Sequence, residues 1–254
     1  MKKLTFSALA LALVVAACGS GGGAADSTTT TTTEPKPTTT TSEATTTRPE
    51  TTTTTVPETT TTELPGKPID FGPAEGDTVA VIGVAHDDVL NLRAAPGANQ
   101  EILAEIPNLA DGLTALGHTR DTGDSFWIEV EYDGTTGWVH YGFIGYLGVT
   151  DDMTSTVIDQ LGKTPVAETM VDIGAAVAAT FASDEPESEI VLTVVSTVGD
   201  LGEVTYDVIG IGDDAVRGFR VHVFGQPEVG TFGLKSVEVT TLCGRGVTDE
   251  GLCL

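Results

Sequence analysis

The sequence predicts a small all-β barrel followed by an α+β domain, both preceded by a disordered N-terminal tether. Six short segments of alternating polarity lie between residues 76 and 149, which favours a small antiparallel barrel. One helical pattern and four longer alternating runs lie between residues 150 and 254, which favours a helix packed on a four-stranded antiparallel meander. Residues 18–75 have no apolar periodicity, which predicts a segment without a core.

The N-terminal residues have the organisation of an exported lipoprotein. Lys2 and Lys3 precede a short apolar run, so residues 1–17 are predicted to be a signal peptide. The segment Val15-Ala-Ala-Cys-Gly19 resembles the lipobox of bacterial lipoproteins, in which the cysteine thiol takes diacylglycerol. This resemblance implies a lipid anchor on Cys18 and a protein held on the outer face of the bacterial cell membrane. The alternative is ordinary cleavage at an Ala-x-Ala site beside an unmodified cysteine.

Residues 18–75 are the predicted anchor and linker. Threonine runs broken by single prolines fill residues 28–62 and offer nothing to bury, so we expect disorder. About 50 such residues span roughly 40 Å as a random coil and roughly 150 Å as an extended polyproline-like chain. The composition also suits O-glycosylation of the threonines, as in secreted stalks.

Alternation of apolar and polar residues predicts six strands within residues 76–149. Short strands at near-regular spacing, separated by Gly and Asp turns, are typical of a small barrel. Asp133-Gly134 connects two of these strands, and Asp-Gly is a typical two-residue hairpin turn. The predicted strands cover residues 79–82, 90–93, 101–106, 113–117, 127–132 and 136–139.

Three motifs in this region have a characteristic order and spacing. Leu90-Asn-Leu-Arg-Ala-Ala-Pro-Gly97 ends a strand with a Pro-Gly turn, Trp127 opens a later strand, and Gly137-Trp-Val139 forms the closing one. With these motifs, residues 76–149 resemble the bacterial SH3 domain, a small barrel that often accompanies cell-wall hydrolases. The fold class predicted for this part of the chain is therefore an SH3-like barrel.

The resemblance implies a ligand groove between three loops, at residues 86–99, 117–126 and 140–143. Aromatic side chains suit a peptide groove because they offer flat area, little entropy to lose and a polar atom. The alternative is that these aromatic residues only cap the barrel. The other tryptophan, Trp138, is predicted to lie in the core. The candidate groove residues are Asn91, Arg93, Trp127, Tyr141 and Phe143.

The C-terminal region, residues 150–254, predicts a helix and then four strands. Thr164 as N-cap and Pro165 at the first helical position would start the helix, and Gly174 would let it lie close to a sheet. Cys243 and Cys253 are predicted to form a disulfide, because an exported protein keeps such a pair oxidised. The predicted strands cover residues 189–198, 204–211, 216–224 and 234–242.

The formal charge of the chain is −25, from 12 basic and 37 acidic residues. Such a charge repels polyanions, so nucleic acid is excluded as a partner. Residues 78–148 contain ten acids against only Arg93 and Arg120, which also argues against electrostatic capture of anionic wall polymers or lipid. The excess of acid is interpreted as a solubility feature in preference to recognition of a basic partner.

The sequence contains few of the residue patterns that catalysis needs, so we expect no enzymatic activity, no cofactor and no metal site. A cysteine peptidase needs a free thiol beside a histidine, and the two C-terminal cysteines are better explained as bonded to each other. The four histidines are singly placed, whereas zinc amidases use close ligand sets. A glycosidase needs only a pair of carboxylates, which an acidic chain always offers.

Three functions remain open at the level of the sequence. The first is a monomeric lipoprotein, attached to the membrane by its lipid, whose barrel binds a cell-wall peptide or an envelope protein. The second makes the C-terminal α+β domain a small-ligand or substrate-binding unit. The third is a cell-wall hydrolase that uses carboxylates.

Overall fold

Thirteen strands, all paired antiparallel, make up about half of the described part of the chain. The computed structural model describes residues 63–195 and 202–254. The predicted signal peptide, Cys18 and most of the predicted linker lie outside these residues. No helix within the described ranges is both long and apolar enough to cross a membrane.

The first eight strands contain the alternating segments of the N-terminal half. All six predicted strands are present, and the Asp133-Gly134 turn has positive φ at both residues, as the two-residue hairpin requires. The strands are β1 Lys67–Ile69, β2 Thr78–Val81, β3 Val89–Arg93, β4 Ile102–Pro107, β5 Leu113–Asp121, β6 Phe126–Tyr132, β7 Thr135–His140 and β8 Ile144–Asp152.

Two of these strands had no counterpart in the prediction. Strand β1 lies within the predicted linker and pairs with β5 over Lys67–Ile69, so regular structure begins before residue 76. Strand β8 continues through the predicted boundary at residues 149 and 150. Its start pairs with β2, and its remainder pairs with a strand of the C-terminal half.

The C-terminal half contains two helices and five strands. The four predicted strands are present as an antiparallel meander, within the part of each that the structure describes. The elements are α1 Thr154–Leu161, β9 Val166–Ala167, α2 Met170–Ala178, β10 Glu189–Val195, β11 Gly202–Ile209, β12 Val216–Glu228 and β13 Thr231–Cys243.

The predicted start of the helix at Thr164 is wrong. Helix α2 begins five residues later, where the Thr169 hydroxyl accepts a hydrogen bond from the Asp172 amide. Residues Val166–Ala167 instead form β9, which pairs with β13. The strand pairing offered by a neighbouring sheet edge therefore outweighs the local Thr-Pro signal for a helix start.

Two hydrophobic cores lie along this sheet. The first core collects apolar side chains from β2 to β8, with Leu92, Ile128 and Val139 fully buried. The second core lies between α2 and the meander, with Val177 and Val204 fully buried. Helix α2 sits very close to the sheet at Gly174, where a Cβ atom would lie 2.6 Å from Val204 Cγ1 and from Tyr206 Cε2.

A buried ion pair joins the two cores. Asp207 is completely buried and accepts two hydrogen bonds of 2.8 Å from the Arg220 guanidinium. It also accepts one of 2.8 Å from the Gly83 amide. Arg220 donates a further hydrogen bond of 2.8 Å to the carbonyl of Val81. Both partners therefore bond to the backbone of the N-terminal half, which fixes the segment that follows β2.

Arg217 forms a second connection between the halves. Its guanidinium donates to the carbonyl oxygens of Ile144 at 2.6 Å, Tyr141 at 2.9 Å and Gly142 at 3.2 Å. It also lies 4.6 Å from the centre of the Tyr141 ring, within the range of a cation–π contact. Burial lowers the pKa of Arg217, yet three carbonyl acceptors and an aromatic face surround the charge.

Candidate functional site

A cleft of about 420 Å³ opens on the surface of the first core. Its walls come from the segment after β2, from β3, from the ends of β6 and β7, and from β10 of the C-terminal half. Such a volume lies within the usual range for small-ligand and short-peptide sites. The side chains that give it chemical character are Asp88, Asn91, Arg93, Trp127, His140, Phe143 and Glu189.

Trp127 lines the cleft as a nearly buried aromatic side chain. It stands at the start of β6, opposite His140 of β7, and only 4% of the residue is exposed. Its indole Nε1 donates a hydrogen bond of 2.9 Å to the Ser125 hydroxyl, and its ring meets the His140 imidazole edge-on at 5.5 Å. The ring is thus held in one orientation without a ligand, which reduces the entropy that binding would cost.

Asn91 and Arg93 reach the cleft because β3 alternates. Leu90 and Leu92 turn into the first core, and the two polar residues turn the other way, as the sequence predicts. Arg93 Nη1 donates a hydrogen bond of 2.7 Å to the carbonyl of Gln100. Arg93 therefore braces the loop between β3 and β4 and also lines the cleft.

The structure separates the two aromatic residues of the turn after β7. Phe143 lies at the cleft, 41% exposed, with its ring 5.4 Å from the His140 ring. Tyr141 is not among the cleft residues, because its ring packs on Arg217 and its hydroxyl donates to the carbonyl of Gly244 at 3.2 Å. Of the five predicted groove residues, four meet at the cleft and Tyr141 does not.

His140 lies in a predicted groove loop, but sequence reasoning did not name it among the candidate residues. Its Nδ1 accepts a hydrogen bond of 3.0 Å from the Gly142 amide, which leaves the proton of the neutral ring on Nε2. Burial lowers the pKa of His140, and the nearby Arg217 charge lowers it further, against an opposing effect of Asp124. A neutral imidazole supplies one N–H donor to the cleft and no charge.

Glu189 and Val191 were also missed, because they lie outside the SH3-like region, 46 or more residues after the other cleft residues in the sequence. They belong to β10, the edge strand of the meander. The amide of His86 donates to the carbonyl of Leu192 at 2.9 Å, which ties this strand to the segment after β2. Alternation identifies β10 as a strand but carries no information about this long-range contact.

The second tryptophan marks a different surface. Trp138 is as buried as Trp127, at 4% exposure, but it points away from the first core, opposite to its neighbour Val139. It lines a separate pocket of about 450 Å³ together with Leu64, Pro68 and Arg120. The prediction of Trp138 as a buried core residue is confirmed, although Trp138 is not among the residues of the first core.

The described residues contain no group of side chains suited to metal binding or to thiol catalysis. Cys243 and Cys253 form a disulfide, as predicted, and they close the loop that follows β13. Within residues 63–195 and 202–254 there is no group of three or more His, Cys, Asp or Glu side chains placed to hold a metal ion. The cleft offers an aromatic face, hydrogen-bonding groups and charges of both signs, which are the requirements for binding.

Comparison with known proteins identifies one part of the chain. No curated protein and no solved structure matches this chain. The family model for the bacterial SH3 domain matches residues 88–145. This range includes Asn91, Arg93, Trp127 and Phe143, whereas Glu189 lies outside it. Residues 88–145 of this chain form a bacterial SH3 domain.

Proposed function

We propose that this chain is a non-catalytic lipoprotein of the bacterial cell envelope whose SH3 domain binds a cell-wall peptide in the Trp127 cleft. Bacterial SH3 domains commonly bind cell-wall peptidoglycan or proteins. The observation that carries the proposal is the fixed Trp127 ring at a cleft of about 420 Å³, bordered by groups of both charges. A cleft of this size suits a short peptide better than the broad face of a folded protein.

The charges of the cleft support a peptide ligand. Arg93 offers a cation for a carboxylate, while Asp88 and Glu189 offer anions for an amine. Asn91 and neutral His140 offer hydrogen bonds without charge. A cell-wall peptide has a carboxylate, amide groups and, at its diamino acid, an amine, so every group in the cleft has a partner in such a ligand.

The membrane position in this proposal rests on the N-terminal sequence. Val15-Ala-Ala-Cys-Gly19 resembles a lipobox, and the apolar run before it resembles a signal peptide. Acyl chains on Cys18 would hold the protein on the outer face of the cell membrane. The SH3 domain would then lie on the same side of the membrane as the wall.

We also propose that the two cores correspond to two units, an SH3-like barrel and an α+β unit. The first core contains residues of β2 to β8, and the second contains α2 and the meander. In this proposal the α+β unit supports the barrel. A ligand pocket under α2 is disfavoured, because the helix contacts the sheet directly at Gly174.

A hydrolase function receives less support than binding. Asp88 and Glu189 line the same cleft, but both residues are exposed to solvent. A glycosidase of the two-carboxylate type keeps its acid protonated by placing it in an apolar pocket. These two carboxylates are better suited to the recognition of a cation.

The proposal is tested by titrating the compact unit, residues 59–254, with a synthetic cell-wall stem peptide in a calorimeter. Trp127→Ala should weaken binding by about 1–3 kcal/mol, the range for a central aromatic anchor. Phe143→Ala removes an exposed side chain at the cleft and should weaken binding without unfolding the protein. Phe71→Ala is the matched control for Phe143→Ala, because Phe71 is also an exposed phenylalanine but does not line the cleft.

Circular dichroism establishes that each variant is folded. Unchanged affinity in both Trp127→Ala and Phe143→Ala would remove the cleft as the binding site. A wild-type protein that binds no stem peptide would refute the wall-peptide proposal and favour an envelope protein as the partner.

A further inference from the structure

The cleft extends beyond the SH3 domain into the C-terminal half. The family match ends at residue 145, whereas Glu189 and Val191 of β10 supply part of the cleft wall. Two hydrogen bonds fix β10 against the barrel. The His86 amide donates to the carbonyl of Leu192 at 2.9 Å, and the Asn108 side-chain amide donates to the carbonyl of Thr193 at 2.7 Å.

Hydrogen bonds also fix the segment after β2, which forms the facing part of the cleft wall. Gly83 begins the segment and donates its amide proton to buried Asp207, which is itself bonded to Arg220. Asp88 ends the segment, and its Oδ1 accepts a hydrogen bond of 2.8 Å from the Val89 amide. This hydrogen bond fixes the side chain at the cleft while the second carboxylate oxygen remains available for a ligand.

The charge of the cleft is negative. Two carboxylates, Asp88 and Glu189, face solvent there, and Arg93 is the cation among the cleft residues. Arg93 uses Nη1 to hold the carbonyl of Gln100, so part of its donor capacity is occupied within the protein. The imbalance favours a ligand that brings a positive charge to the side of the cleft formed by β10.

We propose that Glu189, with Asp88, makes the cleft selective for peptides that carry a free primary amine. In a cell-wall peptide this amine is the side chain of the diamino acid. This inference rests on the proposed function and adds to it the group that the C-terminal half recognises. The α+β unit is then part of the ligand site, and Glu189 is a specificity-determining residue outside the SH3 domain.

The test compares two synthetic stem pentapeptides that are both acetylated at the N-terminus and differ only at the third side chain. In one the third residue is lysine with a free amine, and in the other the same amine is acetylated. The wild-type unit, residues 59–254, should bind the free amine about three- to fivefold more tightly, as expected for an ion pair at a solvent-exposed site. The preference should shrink as the salt concentration rises, because salt screens the charges.

Glu189→Gln should reduce this preference while leaving the affinity for the peptide with the acetylated lysine unchanged. Asp88→Asn should reduce the preference, since asparagine Oδ1 can still accept the bond from the Val89 amide. Glu187→Gln is the matched control, because it makes the same change at an exposed residue that does not line the cleft. The control should keep the full preference.

The outcomes separate this inference from the proposed function. If wild type binds both peptides with equal affinity, or if Glu189→Gln keeps the full preference, the selectivity for amines is refuted and peptide binding stands. If wild type binds neither peptide, the proposed function itself is refuted, and the inference that rests on it is refuted too.

Discussion

At the scale of single residues, Asp207 has the most demanding environment in the described chain. Its carboxylate is completely buried, and its partner Arg220 has a side chain that is 13% exposed. A buried charge is tolerated only when it is paired and hydrogen-bonded. Here the two charges satisfy each other and also bind the backbone at Gly83 and Val81. The pair therefore both connects the halves and positions the segment that lines the cleft.

We predict that Asp207→Ala lowers the free energy of unfolding by about 3–5 kcal/mol, because Arg220 keeps a buried charge without its partner. Equilibrium unfolding of residues 59–254 in urea measures this loss. Asp214→Ala is the matched control, since Asp214 pairs with Arg245 at the surface, where the two side chains are 87% and 54% exposed. The control should change stability little. Equal effects of the two variants would contradict a structural role for the buried pair.

If Asp207→Ala does not fold, Asp207→Asn provides the measurement. Asparagine has the same shape and keeps one acceptor oxygen, so the variant should fold and lose less stability than the alanine variant. Stability equal to that of wild type in Asp207→Asn would show that the charge of Asp207 contributes nothing.

At the scale of secondary-structure elements, the contact of α2 with the meander is unusually close. Gly174 occupies the middle of the helix, where glycine normally costs about 1 kcal/mol relative to alanine. A Cβ atom at this position would lie 2.6 Å from both Val204 and Tyr206, which is closer than non-bonded atoms approach. The close packing of helix and sheet explains why a poor helix former stands here.

We predict that Gly174→Ala destabilises the protein by about 1–3 kcal/mol, since overpacking outweighs the gain in helix propensity. Urea unfolding is again the measurement. Ala176→Gly, on the exposed side of the same helix, should cost about 1 kcal/mol through propensity alone. A Gly174→Ala variant more stable than wild type would show that the helix does not lie against the sheet in solution.

Local sequence patterns predicted most strands. They failed for strands that form only because another strand offers an edge for pairing. Alternation identified β3, β6 and β7 because each has one face in the first core. The short strands β1 and β9 have no such pattern, and they form because β5 and β13 offer edges to pair with. Strand β8 was not predicted and runs through the predicted domain boundary, because no local signal showed that it pairs with both halves.

The candidate site could be predicted only within the SH3 motifs. Asn91 and Arg93 follow from the alternation of β3, and Trp127 and Phe143 follow from the resemblance. Tyr141 was assigned to the same groove, but the buried Arg217 charge holds its ring elsewhere. Glu189 could not be predicted, because the contact of β10 with the segment after β2 depends on tertiary packing.

At the scale of the whole molecule, one continuous sheet runs through both cores. Strand β8 pairs with β2 and β13, and Arg217 and Arg220 add side-chain bonds between the halves. The cleft includes residues from both halves, so binding is properly measured on the whole compact unit. Removing the C-terminal half would take away Glu189 and the partners of the segment after β2.

In the proposed function, the position of this unit in the cell depends on Cys18. If Cys18 carries the lipid, Cys18→Ala should release the protein from the membrane fraction or leave an uncleaved precursor of higher mass. Immunoblots of membrane and soluble fractions, with intact-mass analysis, measure both outcomes. Ser20→Ala, two residues on, is the matched control and should leave the protein in the membrane fraction. Normal processing and full membrane retention of Cys18→Ala would refute the lipid anchor, and membrane attachment would then need another explanation.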